Sequence, residues 1–287
     1  TPAQIAGFIV ALRMKGESVE ELTGLVRAMV ERATPVHLAD DEGVIDLVGT
    51  GGDRTHSINV STLAALTVVG AGGRVCKHGN RAASSACGTA DLLEALGVAF
   101  DLGPTGVARC VDEAGIGFCF APRYHGAMRH AGPPRRELGV PTVFNFLGPL
   151  ANPARVRRQV TGIADPAMAE RIVQVLAANG AERALVVYGH DGLDELTITT
   201  TSTVHELRDG EIRRYEVDPA ALGLGSGTLD DLRGGEAAVN ARLSHEVLGG
   251  AESPRLDVVV LNAAAGLVAA GLVDDLADGV DAARVSL

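Results

Sequence analysis

The chain has 287 residues, 46% of them hydrophobic and 21% charged, with a formal net charge of −11. That balance suits a protein with a sizeable core and excludes a disordered or fibrous one, and the acidic surplus argues against a general nucleic-acid binder, which needs a basic face. The longest apolar stretch, residues 258–273, is interrupted by Asn262 and is short for a membrane span; the cysteines at 76, 87, 110 and 119 show neither a C-x-x-C pair nor zinc spacing, so reduced thiols and a cytoplasmic location are expected.

In chain order, Thr1-Pro2 opens a helix whose apolar stripe is Ile5, Phe8, Ile9 and Leu12, and Ser18-Val19-Glu20-Glu21 starts a second. From about Asp46 short β-branched runs alternate with alanine-rich helices, the pattern of a mainly parallel sheet covered on both faces. Residues 122–139, rich in Arg, His and Pro, rejoin the helical part. The expected division is a small helical domain of residues 1–42 and 122–140 and a large α/β domain of residues 43–121 and 141–287.

The first of these strands, Val44-Ile45-Asp46-Leu47-Val48, runs into Gly49-Thr50-Gly51-Gly52-Asp53. Closely spaced glycines let bare N–H groups approach an anion, and Ser61-Thr62 opens the next apolar segment as a capped helix would, so the stretch reads as a phosphate site. It is neither of two better-known glycine loops. Asp53-Arg54 stands where a P-loop needs Gly-Lys-Ser/Thr, and Arg54 where a dinucleotide fingerprint needs its third glycine. The second cluster, Gly70-Ala71-Gly72-Gly73, reads as a tight turn that needs no ligand.

After the short strand Arg74-Val75-Cys76, the loop Lys77-His78-Gly79-Asn80-Arg81-Ala82-Ala83-Ser84-Ser85 brings a cation, an imidazole, an amide, a guanidinium and two hydroxyls into nine residues. Lysine and arginine meet phosphate as point charge and fork. The strand-like run Ala184–Tyr188 then leads to Asp191-Gly192-Leu193-Asp194-Glu195. Adjacent carboxylates at a strand end suit magnesium, which takes one or two of them together with phosphate oxygens, although Asp-Gly is also a common turn.

These strings, with Asn59-Val60-Ser61-Thr62, Arg135-Arg136-Glu137-Leu138-Gly139 and the segment from Phe144-Asn145-Phe146 through Gly148-Pro149-Leu150 to Asn152-Pro153, resemble anthranilate phosphoribosyltransferases from end to end. The actinobacterial branch is especially similar, including residues 118–125. The resemblance implies a small helical domain plus a large α/β domain, the fold shared with nucleoside phosphorylases. It implies transfer of a phosphoribosyl group from phosphoribosyl pyrophosphate to the anthranilate amine, a step of tryptophan synthesis, with magnesium, expected as two ions.

By that resemblance Gly49, Gly52, Asp53, Ser57, Asn59, Val60, Ser61, Thr62, Lys77, Ser85 and Thr89 contact the donor. Ser61, Asp194 and Glu195 hold the metal; Gly49, His78, Asn80, Arg135 and Gly148 meet anthranilate. Lys77, His78 and Arg135 are the expected catalytic group, His78 being the one candidate proton acceptor, with orientation its other role. Small-molecule substrates are the expected partners, without nucleic acid or membrane. Against the family pattern, the chain begins and ends inside its relatives, so a homodimer is expected where the family's N-terminal helices are present. Arg54 replaces a usually small residue and either adds a phosphate contact or crowds the loop; Met128 stands where an aromatic residue is common near the anthranilate approach; Thr89 replaces the commoner serine. A pyrimidine nucleoside phosphorylase and a non-catalytic nucleic-acid-binding relative are the alternatives. His78-Gly79-Asn80 opposes the first, and Asp194-Glu195 with the acidic balance opposes the second.

Overall fold

The computed structural model describes residues 1–82 and 86–287, so the expected donor residue Ser85 lies outside the described residues. Helices α1 (Pro2–Lys15) and α2 (Val19–Arg32) each begin at a capping box, Thr1 with Gln4 and Ser18 with Glu21, in which side chains reciprocally satisfy the orphan N–H groups of the first turn. Of the expected apolar stripe on α1, Ile9 and Leu12 are buried whereas Phe8 stays exposed.

The chain continues through β1 (Val44–Gly49), α3 (Val60–Gly70), β2 (Arg74–Gly79), α4 (Thr89–Ala95), α5 (Pro104–Ala114), β3 (Ile116–Phe120), α6 (Ala121–Tyr124), α7 (Met128–Leu138) and α8 (Phe144–Leu147). After these come β4 (Arg158–Gly162), α9 (Pro166–Ala178), β5 (Arg183–Gly189), β6 (Ser202–Arg208), β7 (Glu211–Val217), α10 (Ala237–Leu248), α11 (Pro254–Ala270) and α12 (Leu276–Ser286). The seven strands form one sheet in the order β3-β2-β1-β4-β5-β6-β7. The first five are parallel, and β6 and β7 close one side as an antiparallel hairpin. Exposed Glu211, Arg213, Arg214 and Glu216 on the edge strand β7 discourage further pairing.

Each face of the sheet has its own apolar layer. On one, α3 and α11 pack over Ile45, Leu47, Val75, Leu185 and Val187, and α12 packs on those two helices. From Val258 to Ala270 every residue of α11 is buried, as expected of a helix that is apolar all round. On the other, α9 packs over Ala184 and Val186, and α2 and α8 complete the same apolar cluster, α2 against α9. Helix α7 packs against α1.

Strand β1 lies inside the sheet, between β2 and β4. The chain winds outward from it through β2 to β3, then returns to its other side as β4. The crevice beyond the carboxyl ends of β1 and β4 is therefore a topological switch point, the place where open α/β sheets bind ligands.

Candidate active site

A cleft of about 340 Å³ opens at that switch point, lined by the ends of β1 and β2, the start of α3 and the loop after β5. Its first wall is the glycine loop. Thr50 continues β1 by donating its N–H to the Gly162 carbonyl at 2.9 Å, while its hydroxyl accepts from Ala164 N–H at 3.0 Å. Gly51 N–H donates to Asp194 Oδ2 at 2.7 Å. Close approach makes glycine obligatory at both flanking positions: a Cβ on Gly49 would stand 2.6 Å from Asp194 Oδ2, and one on Gly162 would overlap the Asp194 carbonyl oxygen. Two strand ends are bare where one residue, Asp194, passes over them, its carboxylate at Gly49 and its backbone carbonyl at Gly162.

The second wall is the start of α3. Helix α3 begins at Val60, with Asn59 at its N-cap making no side-chain cap bond, so Ser61 and Thr62 do not cap it as expected but sit in its first turn. Asn59 instead ties loops together: its Nδ2 donates to the Cys87 carbonyl at 3.1 Å and its Oδ1 accepts from Asn240 at 2.9 Å. Ser61 lines the cleft. Thr62 is buried, bonds Thr89 through its hydroxyl at 3.3 Å, and is not among the lining residues.

Lys77 and His78, expected on a loop, lie on strand β2, which runs on to Gly79. Both are 3% exposed. Lys77 Nζ donates to the Leu47 carbonyl and, at 3.2 Å, to Ser61 Oγ. Burial lowers its pKa, against the opposing pull of Asp46 and Glu195. Beyond the strand, Arg81 is held by Asp91 (2.7 Å) and Glu94 (2.8 Å) and stacks on Phe100 at 5.1 Å.

The floor of the cleft is acidic. Asp194 and Glu195 are nearly buried. Burial, then the charges of Glu195 and Asp53, hold the Asp194 carboxyl well above the usual carboxylate range, and burial pushes Glu195 up to about 7 despite Lys77. Carboxylates crowded out of water want a cation. Among the described residues no three His, Cys, Asp or Glu side chains form a ready-made cage. Magnesium needs none, because it keeps several waters and takes one or two carboxylates; the hard oxygen set of Asp194, Glu195 and the Ser61 hydroxyl fits it. Asp191, the other acid of that motif, is a turn residue that accepts from Leu193 N–H and from the Thr197 and Thr199 hydroxyls.

Two supports were not foreseen. Asp46, fully buried within an apolar strand, accepts from His78 N–H at 3.1 Å and from Asn152 Nδ2 at 2.8 Å, and Asn152 also donates to the Cys76 carbonyl at 2.8 Å. Burial pushes the Asp46 carboxyl up to about 6, against Lys77 and these hydrogen bonds. A charged residue in a run as apolar as residues 44–48 was itself the signal; its partner 106 residues away was not readable.

Asn262 is the second support. It accepts from Leu196 N–H at 3.0 Å and donates to the Leu196 carbonyl at 2.8 Å, gripping the chain beside Glu195 as a neighbouring strand would.

His78 also meets His125, the ring centroids being 5.0 Å apart. Burial first, then His125, push the His78 imidazole down to about 3. Behind this pair lies a second, apolar cavity of about 520 Å³ walled by α1, α2 and α7, with Phe8, Met29, Met128, His125 and Phe144 on its surface.

Of the expected site residues, Gly49, Gly52, Asp53, Ser57, Asn59, Val60, Ser61, Lys77, His78, Asn80, Thr89, Asp194 and Glu195 come together on the main cleft, joined by Asn145. Arg135 and Gly148 are not on its walls: Arg135 lies 5.3 Å from the Phe144 ring, next to Asn145, and the Gly148 backbone bonds His78.

Residues 41–287 match the model of the glycosyl transferase family a/b domain, and residues 1–33 that of its helical bundle domain. An anthranilate phosphoribosyltransferase of Thermomicrobium roseum is 54% identical over 99% of this chain and 82% of its own. Among solved structures, the anthranilate phosphoribosyltransferase of Thermus thermophilus superposes with a TM-score of 0.95 at 44% identity, covering 100% of this chain and 85% of that one. The Saccharomyces cerevisiae enzyme in complex with PRPP and Mg gives 0.89 at 29% identity over 99% and 80%.

Proposed function

The chain belongs to the anthranilate phosphoribosyltransferase family, and from that membership we propose that its cleft transfers the phosphoribosyl group of phosphoribosyl pyrophosphate to the amine of anthranilate. The products are N-(5-phosphoribosyl)anthranilate and pyrophosphate, in tryptophan biosynthesis. The observation that carries this reading is the meeting of the glycine loop, Lys77 and the buried Asp194–Glu195 pair at the switch point of the sheet.

In this reaction the C1–O bond breaks toward an oxocarbenium ion, the amine lone pair forms the new C1–N bond, and negative charge gathers on the departing diphosphate. Stabilising that charge is the main task. The N–H groups of the glycine loop and the start of α3, with the Lys77 ammonium, are fixed before the reaction begins, and such donors are worth about 3 kcal/mol each in a water-poor site. Magnesium, held by Ser61, Asp194 and Glu195, supplies further positive charge there; two ions are the count we propose. Gly49, Gly52, Asp53, Ser57, Asn59, Val60, Thr62, Ser85 and Thr89 complete the donor contacts we assign.

The acceptor enters between the two parts we divide the chain into, residues 1–42 with 122–140 and the remainder. Asn80, Arg135 and Gly148 position it, and the apolar cavity behind the histidine pair, with Met128 on its wall, suits an aromatic ring. An aromatic amine is nucleophilic once aimed, so positioning suffices. His78 orients rather than takes a proton, because an imidazole pushed down to about 3 is a weak base at neutral pH.

The thiols of Cys76, Cys110 and Cys119 support a cytoplasmic location. Exposed Phe8 and Met14 on α1 support a homodimer joined through the helical face where the family's further N-terminal helices are present, which sedimentation of a chain carrying them would test. The primary experiment follows loss of anthranilate fluorescence with donor and magnesium, beside mixtures lacking donor or containing EDTA. Loss that needs both is the expected result; a folded chain that binds the donor yet leaves anthranilate untouched would sink the acceptor assignment.

A further inference from the structure

Four of the six residues from Gly51 to His56 adopt left-handed backbone: Gly51 (φ 65°), Gly52 (φ 84°), Arg54 (φ 62°) and His56 (φ 56°). Glycine enters this region freely; arginine and histidine carry a Cβ that opposes it. Core packing does not demand the strain, since both side chains are exposed. The loop is clamped on either side of Arg54. Asp53 accepts from Thr55 N–H at 3.4 Å and from its hydroxyl at 2.5 Å, and the His56 carbonyl accepts from Gly234 N–H at 2.8 Å. Backbone held this way in a sparsely populated region is found where a chain meets its ligand.

Three fixed cations line the cleft, and two are already engaged: Lys77 by the Leu47 carbonyl and Ser61, Arg81 by Asp91 and Glu94. Arg54 has neither an ion pair nor a hydrogen bond among the described residues. It therefore brings an unengaged guanidinium to a cleft that Asp53, Asp194 and Glu195 also line. A planar fork of N–H donors matches phosphate oxygens two at a time.

We propose that Arg54 is a phosphate-binding residue of this cleft, gripping a phosphate group of the donor with its guanidinium. The assignment rests on the donor named above and extends it to a residue outside the glycine motif. The left-handed backbone is what carries the side chain to the mouth of the cleft.

The test measures donor binding by calorimetry with magnesium and without anthranilate, in the native chain, Arg54→Gly and Arg54→Lys, with inorganic pyrophosphate and ribose 5-phosphate as separate probes. Glycine suits the loop's backbone, so Arg54→Gly should fold and keep its unfolding midpoint, yet lose about tenfold in donor affinity. Arg54→Lys should recover part of it, and the gap should narrow with rising salt, as an exposed charge contact requires. Loss confined to pyrophosphate places the guanidinium on the diphosphate arm, and loss confined to ribose 5-phosphate places it on the other. Donor affinity in Arg54→Gly equal to native overturns the proposal, as does a fall in midpoint with affinity intact. A native chain that binds donor but does not consume anthranilate overturns the acceptor reading alone, because the comparison at Arg54 still stands; one that binds none of the three probes overturns both.

Discussion

His78 and Asp46 touch each other in the core under the cleft, and burial drives both toward neutrality with opposite effects on acid stability. His78 falls from 6.5 to about 3 on folding. Between those values the unfolded chain binds more protons, so the stability His78 contributes is complete above 6.5 and is lost as pH drops toward 3, by at most ~1.4 kcal/mol per unit. Asp46 rises from 3.8 to about 6, so its contribution is present below 3.8 and is lost as pH rises through 6. The two oppose one another across pH 4 to 6 in the native chain. Subtracting the urea stability of His78→Gln from native isolates the imidazole, and the difference should climb steadily from pH 4.5 to 6.5; a flat difference would mean that His78 titrates as it does in water. Glu195 gives a second pH dependence. With its carboxyl near 7 and that of Asp194 also raised, magnesium bound at this pair would have to displace protons at lower pH, so the apparent magnesium affinity should fall steadily as pH drops from 8 to 5.5. Calorimetry across pH 5.5 to 8 reads this directly.

Helix α11 joins stability to chemistry. Its uniform burial leaves Asn262 as the polar residue of its core stretch, and both ends of that amide are committed to the Leu196 backbone next to the acidic pair. Asn262→Leu would fill the volume while stranding a buried N–H and carbonyl. We expect a loss of about 3 kcal/mol in unfolding free energy, together with weaker magnesium uptake, since the Asp194–Glu195 loop loses its anchor. Wild-type magnesium affinity in a destabilised Asn262→Leu protein would show that the anchor serves packing alone. The strand ends carry the same lesson. Gly49 and Gly162 are bare because Asp194 occupies the space above both, so Gly162→Ala should destabilise more than an ordinary added methyl and perturb the acidic floor.

At the scale of the molecule, the donor cleft lies on the sheet while one expected contact of the acceptor, Arg135, stands off its walls on a helix. Arg135 sits on α7, which packs against α1. Arg135→Ala should therefore raise the anthranilate KM at least tenfold and leave the donor KM nearly unchanged; equal effects on both would refute the separation. The sequence alone determined the local features: capped starts at Thr1 and Ser18, the β1 run into glycines, a cation cluster at 77–81 and the acid pair at 194–195. Each depends on short-range rules of periodicity, capping and backbone freedom, or on motifs whose order along the chain is its own record. What only the tertiary structure decided is which of these meet. Lys77 and His78 belong to a buried strand because β2 pairs with β3 as far as Gly79. Asp46 finds Asn152 at a separation of 106 residues, Asn59 finds Asn240 at 181, and Asn262 reaches the acidic loop from another part of the chain. The left-handed turn of Arg54 likewise exists because distant residues clamp the loop. A polar residue in an apolar run announces that a partner is required, since burying it alone is costly; the identity of that partner follows from strand order and helix packing, which are set by the burial of the whole chain at once.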